Sequence, residues 1–501
     1  MESRNVWELV KKDEIPQERK PIGSKWVFKR KKNGVYRARL VALWYNQIPG
    51  IDFSDNFSPV TSDTTIKILF VYMLKQNCYS VVIDIETAFL EGRLEETIFM
   101  KIPIGYLEYL GECHEVIRDM ILKLLGSMYG LVQASRIWYK TLVKVLTKDC
   151  NMIRCELDIC LFYKFDNGPI ICCVYVDDIF CVGDKDKVDE LVATLRKNFI
   201  VKILGELEEY IGCKIIRNGQ SCWLHQLDLL KKVGNDFNDE ISNMQTYATP
   251  LPAGMILYRP KEGDMLLPED QQRKYRSGVG SLLYLVKLTR PDLANSTREL
   301  SKSMDYATQG HYKMLCRVIK YAYDSYNKCL KMKPDQEKKW ELKGYSDSDF
   351  AADKDSRLSI SGYMVYLCGV LISWKSKGQR VVALSSTEAE YVAFSELVRE
   401  LLYIKQLLEF IGIEVELPIK VMVDNVGAIY LANDSASSGR TKHIDIKHHF
   451  CRKYIEDGII LIDFVKSEDN DSDICTKNTS REILEKHTDK FMESVSENLM
   501  E

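Results

Sequence analysis

The sequence predicts a multidomain protein of mixed α+β and α/β architecture. Its 501 residues exceed what one hydrophobic core usually organises, so the length indicates two to four domains. Apolar runs of strand length surround acidic residues at 81–90 and 170–183, which indicates sheets that carry acids. A stretch of helical length and periodicity precedes them at 64–74, where we expect a helix packed beneath the sheet that carries Asp84, and others follow at 185–199, 278–288 and 311–328.

The composition is that of an ordinary globular protein, with 46% hydrophobic and 28% charged residues. No apolar run approaches the roughly 18 residues of a membrane helix, so we expect no membrane contact. The 15 cysteines form no Cys-x-x-Cys pair, which indicates a reducing compartment and no zinc site. The spacing of His443, His448, His449 and Cys451 also fits no standard zinc pattern and predicts a basic surface helix.

The N-terminus is basic although the whole chain has a net charge of −3. Residues 1–45 hold 12 Lys or Arg and 5 Asp or Glu. A run such as 29–32 is usually a solvated face, but it is also what contact with a phosphate backbone requires. Strand-like segments at 26–28 and 36–41 flank Asn33-Gly34, which predicts a basic β-hairpin.

Residues 170–183, IICCVYVDDIFCVG, predict a hairpin with Asp177 and Asp178 at its tip. Two adjacent carboxylates repel each other and are costly to bury without positive charge. A divalent cation is the simplest compensation, and an all-oxygen site suits Mg²⁺. The alternative is an ordinary turn, in which Asp is common, and the motif alone leaves both open.

A third acid, Asp84, stands in a similar apolar run, VVIDIETAFL. The alternative for Asp84 is a helix N-cap. A capping box would have Glu or Gln at position 87, where the chain has Thr87. The shared context favours one metal site built from all three acids.

These segments resemble the reverse transcriptase of copia-type retrotransposons. VIDIETAFLEG and YVDDI, with SMYGLVQASRIWY between them, carry the resemblance. Further blocks follow the family's order: KWVFKRK, YRARLVA, GIDFSDNFSPV, LGELEEYIGCKI and GSLLYLVKLTRPDLA. The resemblance spans residues 25–477 and implies a right-hand polymerase with fingers, palm and thumb, followed by a ribonuclease H-like domain. The implied boundaries are 20–240 for fingers and palm, 241–338 for thumb and connection, 339–478 for the nuclease and 479–501 for a C-terminal tail.

The resemblance implies that Asp84, Asp177 and Asp178 hold two Mg²⁺ ions, which Mn²⁺ can replace, and transfer nucleotides by phosphoryl transfer. It also implies a substrate-binding set: Lys25, Arg37 and Arg39 on template or nucleotide phosphates, Phe89 beneath the sugar, and Gln133 on the incoming nucleotide. Tyr129 and Gly130 would shape the turn before Gln133. Exposed strand cations and a core aromatic are the structural alternatives.

The chain departs from the family at residues 42–46, ALWYN, where a Lys-Gly-aromatic turn is usual. Bulky residues replace a glycine that would permit a special backbone angle. We therefore expect altered loop geometry there, and with it reduced activity.

From Trp340 onward a second set of acids resembles a ribonuclease H domain, whose four acids hold two metals on a five-stranded mixed sheet. The matching acids are Asp347, Glu390, Asp424 and Asp473. Ser385 followed by Glu388 predicts a capping box, which gives Glu388 a structural use. Glu390 lies about 200° further around the helix and is the better ligand. Taken singly, the aspartates could equally be turn or cap acids.

The basic segment 440–450 matches the family block that follows and is expected to contact the hybrid. No histidine stands just before Asp473, where some ribonucleases H carry one, so product release is expected to differ.

The resemblance thus implies an enzyme that copies RNA into DNA and degrades the RNA of the hybrid. Its partners would be an RNA template, a DNA primer, dNTPs and the RNA–DNA hybrid, in a cytoplasmic virus-like particle or the nucleus. The chain would be a piece of a polyprotein whose nucleocapsid, protease and integrase parts lie upstream. Two alternatives stay open: a decayed or domesticated nucleic-acid-binding protein without polymerase activity, and a non-catalytic structural subunit.

Overall fold

The computed structural model describes residues 1, 4–30, 34–110, 119–205, 207–337, 339–433 and 450–500. The chain divides into two compact units, which we call the first unit, residues 1–61 and 79–206, and the second unit, residues 62–78 and 207–501. Three sets of sequence predictions lie outside the described residues: Lys31, Lys32 and Asn33 of the N-terminal hairpin, Glu206, and the segment 440–449 with His443, His448 and His449.

The strands, numbered along the chain, are β1 Trp7–Lys11, β2 Ser24–Arg30, β3 Tyr36–Ala42, β4 Tyr79–Ile85, β5 Arg93–Met100, β6 Met120–Gly126, β7 Ile153–Arg154, β8 Leu161–Phe165, β9 Pro169–Tyr175, β10 Asp178–Gly183, β11 Val201–Ile203, β12 Glu209–Tyr210, β13 Cys213–Asn218, β14 Ser221–His225, β15 Lys328–Met332, β16 Leu342–Asp349, β17 Ile360–Leu367, β18 Val370–Gly378, β19 Ile419–Val423, β20 Ile460–Phe464 and β21 Met492–Ser494. The α-helices are α1 Asp63–Lys75, α2 Tyr106–Leu110, α3 Ala134–Lys144, α4 Lys185–Asn198, α5 Leu227–Asp236, α6 Asn238–Ile241, α7 Glu269–Leu288, α8 Ala294–Ser301, α9 Gln309–Asp324, α10 Ser386–Phe410, α11 Val426–Asn433, α12 Asp473–Thr476, α13 Arg481–Thr488 and α14 Glu497–Met500.

The first unit is organised around a six-stranded sheet in the order β11-β4-β10-β9-β8-β7. Its central strands β9 and β10 form the predicted hairpin around the paired acids, and nearly all of their residues are buried. Burial on both faces explains the nearly continuous apolar runs of these strands. Helices α3 and α4 cover one face, where Trp138 and Leu195 join the core.

Two smaller sheets complete the first unit. Strands β2 and β3 form the predicted N-terminal hairpin, with Lys25 opposite Val41 and Lys29 opposite Arg37. Strands β1, β6 and β5 form a three-stranded antiparallel sheet.

The second unit contains a five-stranded mixed sheet in the order β18-β17-β16-β19-β20. Strands β16, β17 and β18 run antiparallel, and β19 and β20 are added in parallel to β16. The resemblance to ribonuclease H implied a five-stranded mixed sheet, and the structure confirms it. The long helix α10 begins after Ser385, whose Oγ accepts a hydrogen bond from the Glu388 amide, and packs on β16 and β17.

A second sheet of this unit is antiparallel, in the order β12-β13-β14-β15-β21. Its last strand comes from the predicted C-terminal tail, with Lys328 opposite Ser494. Val495 and Met500 are buried, so residues 479–500 belong to the folded core of the unit.

Helix α1, predicted over 64–74, is grouped with the second unit and not with the sheet that carries Asp84. Its Lys67 is buried against the Trp374 ring, at 4.4 Å from the ring centroid, and Tyr72 stacks on Trp340. Among the described helices, none combines the length and apolar character that crossing a bilayer requires.

Two candidate metal centres

The first candidate centre lies where β4 meets the tip of the β9–β10 hairpin. Asp84 and Asp178 are directly opposite in the antiparallel register of β4 and β10. Opposite residues of such a pair have Cβ atoms only about 4.5–5.5 Å apart. Asp177 lies in the turn just before, and its carbonyl oxygen accepts a hydrogen bond from the Ile85 amide at 3.1 Å. The fold therefore places the three acids that the sequence analysis grouped at one end of the sheet, although their carboxylate oxygens do not all lie within 4.8 Å of one another.

The hairpin tip has an unusual backbone. Val176 adopts φ of 59°, in the left-handed region that β-branched residues avoid. The buried Trp138 on α3 donates its indole hydrogen to the Val176 carbonyl oxygen at 2.7 Å. Strained residues of this kind persist where surrounding structure fixes them, often at functional sites. Trp138 thus holds the residue next to the paired acids, a role that sequence reasoning missed.

The electrostatics of this cluster favour a bound cation. Burial, and then the charges of Asp177 and Glu86, raise the pKa of Asp84, while the cations Lys202 and Arg37 lower it in part. Burial, and then Asp177 and Asp84, raise the pKa of Asp178 to about 6. Carboxylates that resist ionisation together are relieved by a divalent ion, so the donor set fits Mg²⁺ or Mn²⁺.

Three predicted phosphate-binding cations share one face of the β2–β3 hairpin. The register places Lys25 opposite Val41 and Arg39 opposite Val27, so Lys25, Arg37 and Arg39 project to the same side. Arg37 acts electrostatically on Asp84, whose pKa it lowers. Arg39 lies over the Tyr129 ring at 4.7 Å from the ring centroid, and its buried Nε has no hydrogen-bond partner within the residues that the structure describes.

The turn at Tyr129 and Gly130 is fixed against the end of β3. The Ala42 amide donates to the Tyr129 carbonyl oxygen at 2.8 Å. Gly130 has φ of +90°, and a Cβ there would lie 2.2 Å from the Ala42 carbonyl oxygen. The turn therefore requires glycine, both for its backbone angle and for the close approach of two chain segments.

We expect Gly130→Ala to lower the free energy of unfolding by about 1–3 kcal/mol, because an added methyl meets backbone at a position with positive φ. Gly50→Ala is the control: its φ is +81°, but no atom of the described residues lies within 4 Å of an added Cβ. Denaturant unfolding of both variants separates the clash from the backbone angle. Equal losses in the two would contradict the close approach.

The segment 42–46, where the sequence predicted altered geometry, forms a short 3₁₀ turn over Trp44–Asn46. None of these five described residues has a positive φ. The missing glycine thus causes no backbone strain here, and the side chains of Trp44 and Tyr45 are exposed.

Phe89 and Gln133 have different surroundings. Phe89 is half-buried and lies in a 3₁₀ turn after Asp84. Its ring and that of Tyr129 are nearly perpendicular, with the two ring centroids 5.3 Å apart. Gln133 is buried. Its side-chain Nε2 donates to the Asp52 backbone carbonyl oxygen at 2.8 Å, and its Oε1 accepts from Gln47 Nε2 at 3.0 Å. Contact with a nucleotide would require Gln133 to leave these partners.

The second candidate centre lies on the mixed sheet. Asp347 is on β16, Asp424 follows β19, and Ser346 and Val423 are neighbours in the parallel register of the two strands. Glu390 on α10 completes a group whose ligand oxygens all lie within 4.8 Å of one another. Among the described residues no other group of three or more acids, histidines or cysteines meets that distance.

The structure separates the two competing glutamates. The Glu388 amide donates to Ser385 Oγ, so the predicted N-cap forms, but the Glu388 carboxylate accepts from the Leu384 amide at 2.7 Å and not from the Ser385 amide that a capping box would use. Glu390 enters the acid cluster instead. Its Oε1 accepts from the amide and the hydroxyl of Ser348 at 3.1 and 2.9 Å, and its buried Oε2 has no hydrogen-bond partner among the described residues.

The unpaired Oε2 of Glu390 is available to ligate a cation. Burial, and then the charges of Asp347 and Asp424, raise the pKa of Glu390 well above its usual range. Burial also raises the pKa of Asp347, against the opposing charge of Lys477. Buried carboxylates with an unused oxygen fit a divalent metal.

Asp473, the fourth predicted acid, lies outside the 4.8 Å group. It begins α12, and its Oδ1 lies 2.7 Å from Lys477 Nζ. The Asn470 amide nitrogen donates to the Ser346 carbonyl oxygen at 2.9 Å and ties this loop to β16. No sequence signal had marked Lys477.

Comparison with known proteins gives one family. The family described as reverse transcriptase (RNA-dependent DNA polymerase) matches residues 4–253. The Pol polyprotein from tobacco transposon TNT 1-94 is 34% identical over 97% of this chain and 36% of its own length. The Pol polyprotein from the Arabidopsis thaliana transposon RE1 is 32% identical over 97% of this chain and 32% of its own. The putative transposon Ty5-1 protein of Saccharomyces cerevisiae is 30% identical over 64% of this chain and all of its own length.

The chain thus spans 36% and 32% of the two plant polyproteins. Among solved structures, a foamy viral protease-reverse transcriptase in complex with double-stranded DNA is similar over 93% of this chain and 68% of its own, at 12% identity and a TM-score of 0.47.

Proposed function

We propose, on the premise that this chain belongs to the reverse transcriptase family of copia-type retrotransposon Pol polyproteins, that its first unit copies RNA into DNA. One observation supports the proposal most: Asp84 pairs with Asp178 across two strands, beside Asp177 in the turn. Three carboxylates gathered on one sheet, with raised pKa values at Asp84 and Asp178, are the donor set that nucleotidyl transfer needs.

In this proposal Asp84 and Asp177 would hold the metal ions, and Asp178 would contribute less directly. Bound Mg²⁺ would activate the primer 3′-hydroxyl and neutralise the leaving pyrophosphate. Lys25, Arg37 and Arg39 offer one cationic face to the phosphates of template or nucleotide. Phe89, beside Tyr129, would pack beneath the sugar and disfavour a 2′-hydroxyl. The protein positions and neutralises, and does little covalent chemistry.

The second unit is proposed to be a ribonuclease H that cleaves the RNA of an RNA–DNA hybrid. The support is the cluster of Asp347, Glu390 and Asp424 on a five-stranded mixed sheet, with an unused Glu390 oxygen. Bound metal would activate a water molecule towards the scissile phosphate. Ser348 keeps the Glu390 carboxylate oriented through two hydrogen bonds.

The substrates would be an RNA template, a DNA primer, dNTPs and the hybrid they produce. We place this work in the cytoplasm, in a virus-like particle, as the resemblance implies. A second candidate function, nucleic-acid binding without polymerisation, is favoured only by the departure at residues 42–46, and that turn is unstrained in the structure.

Two single substitutions test the assignment of one activity to each unit. Asp177→Asn is expected to abolish primer extension on RNA and leave cleavage of a preformed hybrid unchanged. Asp347→Asn is expected to do the reverse, because each acid belongs to only one cluster. Gel assays with one labelled primer and one labelled RNA measure both. Loss of both activities in either variant, with folding intact by circular dichroism, would contradict two separate centres.

A further inference from the structure

Lys477 reaches directly into the second acid centre. Its Nζ lies 2.7 Å from Asp473 Oδ1 and 3.4 Å from Asp347 Oδ2, so one ammonium bridges two of the four predicted metal ligands. Its side chain is 38% exposed, whereas that of Asp347 is 1% exposed. The Lys477 side chain therefore contacts a buried carboxylate while it remains partly exposed to solvent.

Close packing of α12 fixes this position. Gly362 on β17 is directly opposite Asp347, and a Cβ there would lie 2.7 Å from Thr476 Cγ2 and 2.9 Å from Cys475 Cβ. Thr476 also donates its hydroxyl hydrogen to Asp347 Oδ2. Only glycine at 362 lets the helix approach so closely, and the next residue after the helix, Lys477, is thereby held over the acids.

The four acids divide into two sets. Asp347, Glu390 and Asp424 present oxygens within 4.8 Å of one another, and in the described part of the chain the buried Oε2 of Glu390 has no hydrogen-bond partner. Asp473 stands apart from that group and is paired with Lys477. Asp473 therefore already has a cation, which also reaches the near oxygen of Asp347, whereas the unpaired oxygen of Glu390 has none.

We propose that Lys477 is an internal cation of this centre, which holds Asp473 and competes with a divalent ion for it. The free protein then binds one divalent ion, at Asp347, Glu390 and Asp424. A phosphate anion of the substrate offers the partly exposed ammonium a second partner and so frees Asp473 for a metal. Lys477 is a positioning residue in this account, and the inference rests on the proposed nuclease function.

The test counts bound Mn²⁺ in the absence of substrate. The parent protein carries Asp84→Asn, Asp177→Asn and Asp178→Asn, so that calorimetric titration reports only the second centre. We expect one ion in the parent. With Lys477→Met we expect a second ion, or affinity higher by about tenfold or more, because an opposing positive charge is removed.

Two variants control for other effects of the change. Lys477→Arg keeps the charge and is expected to keep a single ion. Lys420→Met removes an exposed lysine of β19 and is expected to bind as the parent does. If Lys477→Met binds the same number of Mn²⁺ ions with the same affinity as the parent, the inference is overturned. The proposed nuclease function remains supported in that case if Asp347→Asn abolishes binding of the single ion. No bound ion in any variant would count against both.

A second readout needs no metal. In EDTA, Lys477→Met is expected to lower the unfolding temperature, because Asp473 and Asp347 lose their counter-charge, and Mn²⁺ is expected to restore more stability to this variant than to the parent. An unfolding temperature in EDTA equal to that of the parent would contradict the internal cation, whatever the metal titration gives.

Discussion

Replacing Asp84 by asparagine is expected to lower primer extension by at least about 1000-fold and to raise the unfolding temperature in EDTA. The first effect follows from the loss of a metal ligand at the centre of the cluster. The second follows because burial and the charges of Asp177 and Glu86 raise the pKa of Asp84, so its ionised form destabilises the folded protein. Single-nucleotide addition and thermal melting measure the two effects.

Glu86→Gln is the matched control for Asp84. Glu86 lies two residues away, is exposed, and also contributes negative charge to the cluster. Its loss is expected to change extension by no more than about twofold, since it is not placed to bind metal. An Asp84→Asn protein that keeps more than about a tenth of wild-type extension would show that the cluster is not the polymerase centre.

Glu390→Gln is expected to lower cleavage of an RNA–DNA hybrid by about 1000-fold while raising stability in EDTA. Glu388→Gln is the control, two residues earlier in the same helix. Glutamine at 388 can still accept the hydrogen bond from the Leu384 amide beside the helix N-cap, so cleavage and stability should both be retained. A cleavage defect in Glu388→Gln as large as that in Glu390→Gln would contradict the assignment.

The same glutamate predicts how stability depends on pH. The pKa of Glu390 is raised in the folded protein, so folded chains bind its proton more tightly than unfolded chains do. In EDTA, stability from this group is complete below the unfolded pKa of 4.5 and is lost as pH rises above it. In EDTA, the unfolding temperature should therefore fall less steeply with rising pH for Glu390→Gln than for the wild-type protein. Mg²⁺ should restore stability to the wild-type protein at neutral pH. Equal slopes of unfolding temperature against pH for the two proteins in EDTA would contradict the raised pKa of Glu390.

The pairing of the strand that carries Asp84 with the hairpin that carries Asp178 could be predicted from sequence because strand patterning constrains both segments strongly. Asp84 and Asp178 each interrupt an apolar run, and a run buried on both faces tolerates a carboxylate only at its end or at a metal site. The choice of Glu390 over Glu388 also followed from local rules, since the cap and the helix turn separate them.

Contacts that depend on tertiary packing could not be predicted in this way. Trp138 reads as a core aromatic, and its hydrogen bond to Val176 exists only because α3 crosses the hairpin tip. In the sequence Lys477 has the pattern of a surface lysine. Its contact with Asp473 depends on the close helix packing at Gly362, more than a hundred residues earlier. Neither pairing leaves a periodic signal in the sequence.

The grouping of elements was also beyond local reasoning. Helix α1 has the expected length, but its assignment to the second unit rests on contacts with Trp340 and Trp374, far along the chain. Likewise β21 pairs with β15 across more than 150 residues. The expectation of a special backbone angle at 42–46 assumed a glycine geometry that the chain replaces with a 3₁₀ turn.

The most direct measurement is the addition of a single dNTP to a DNA primer on an RNA template by the purified wild-type chain. The account predicts Mg²⁺-dependent addition that EDTA stops and that Asp84→Asn lacks. A homogeneous preparation that binds the primer–template but adds no nucleotide at any Mg²⁺ or Mn²⁺ concentration would contradict it, and would identify the chain as a nucleic-acid-binding or structural protein.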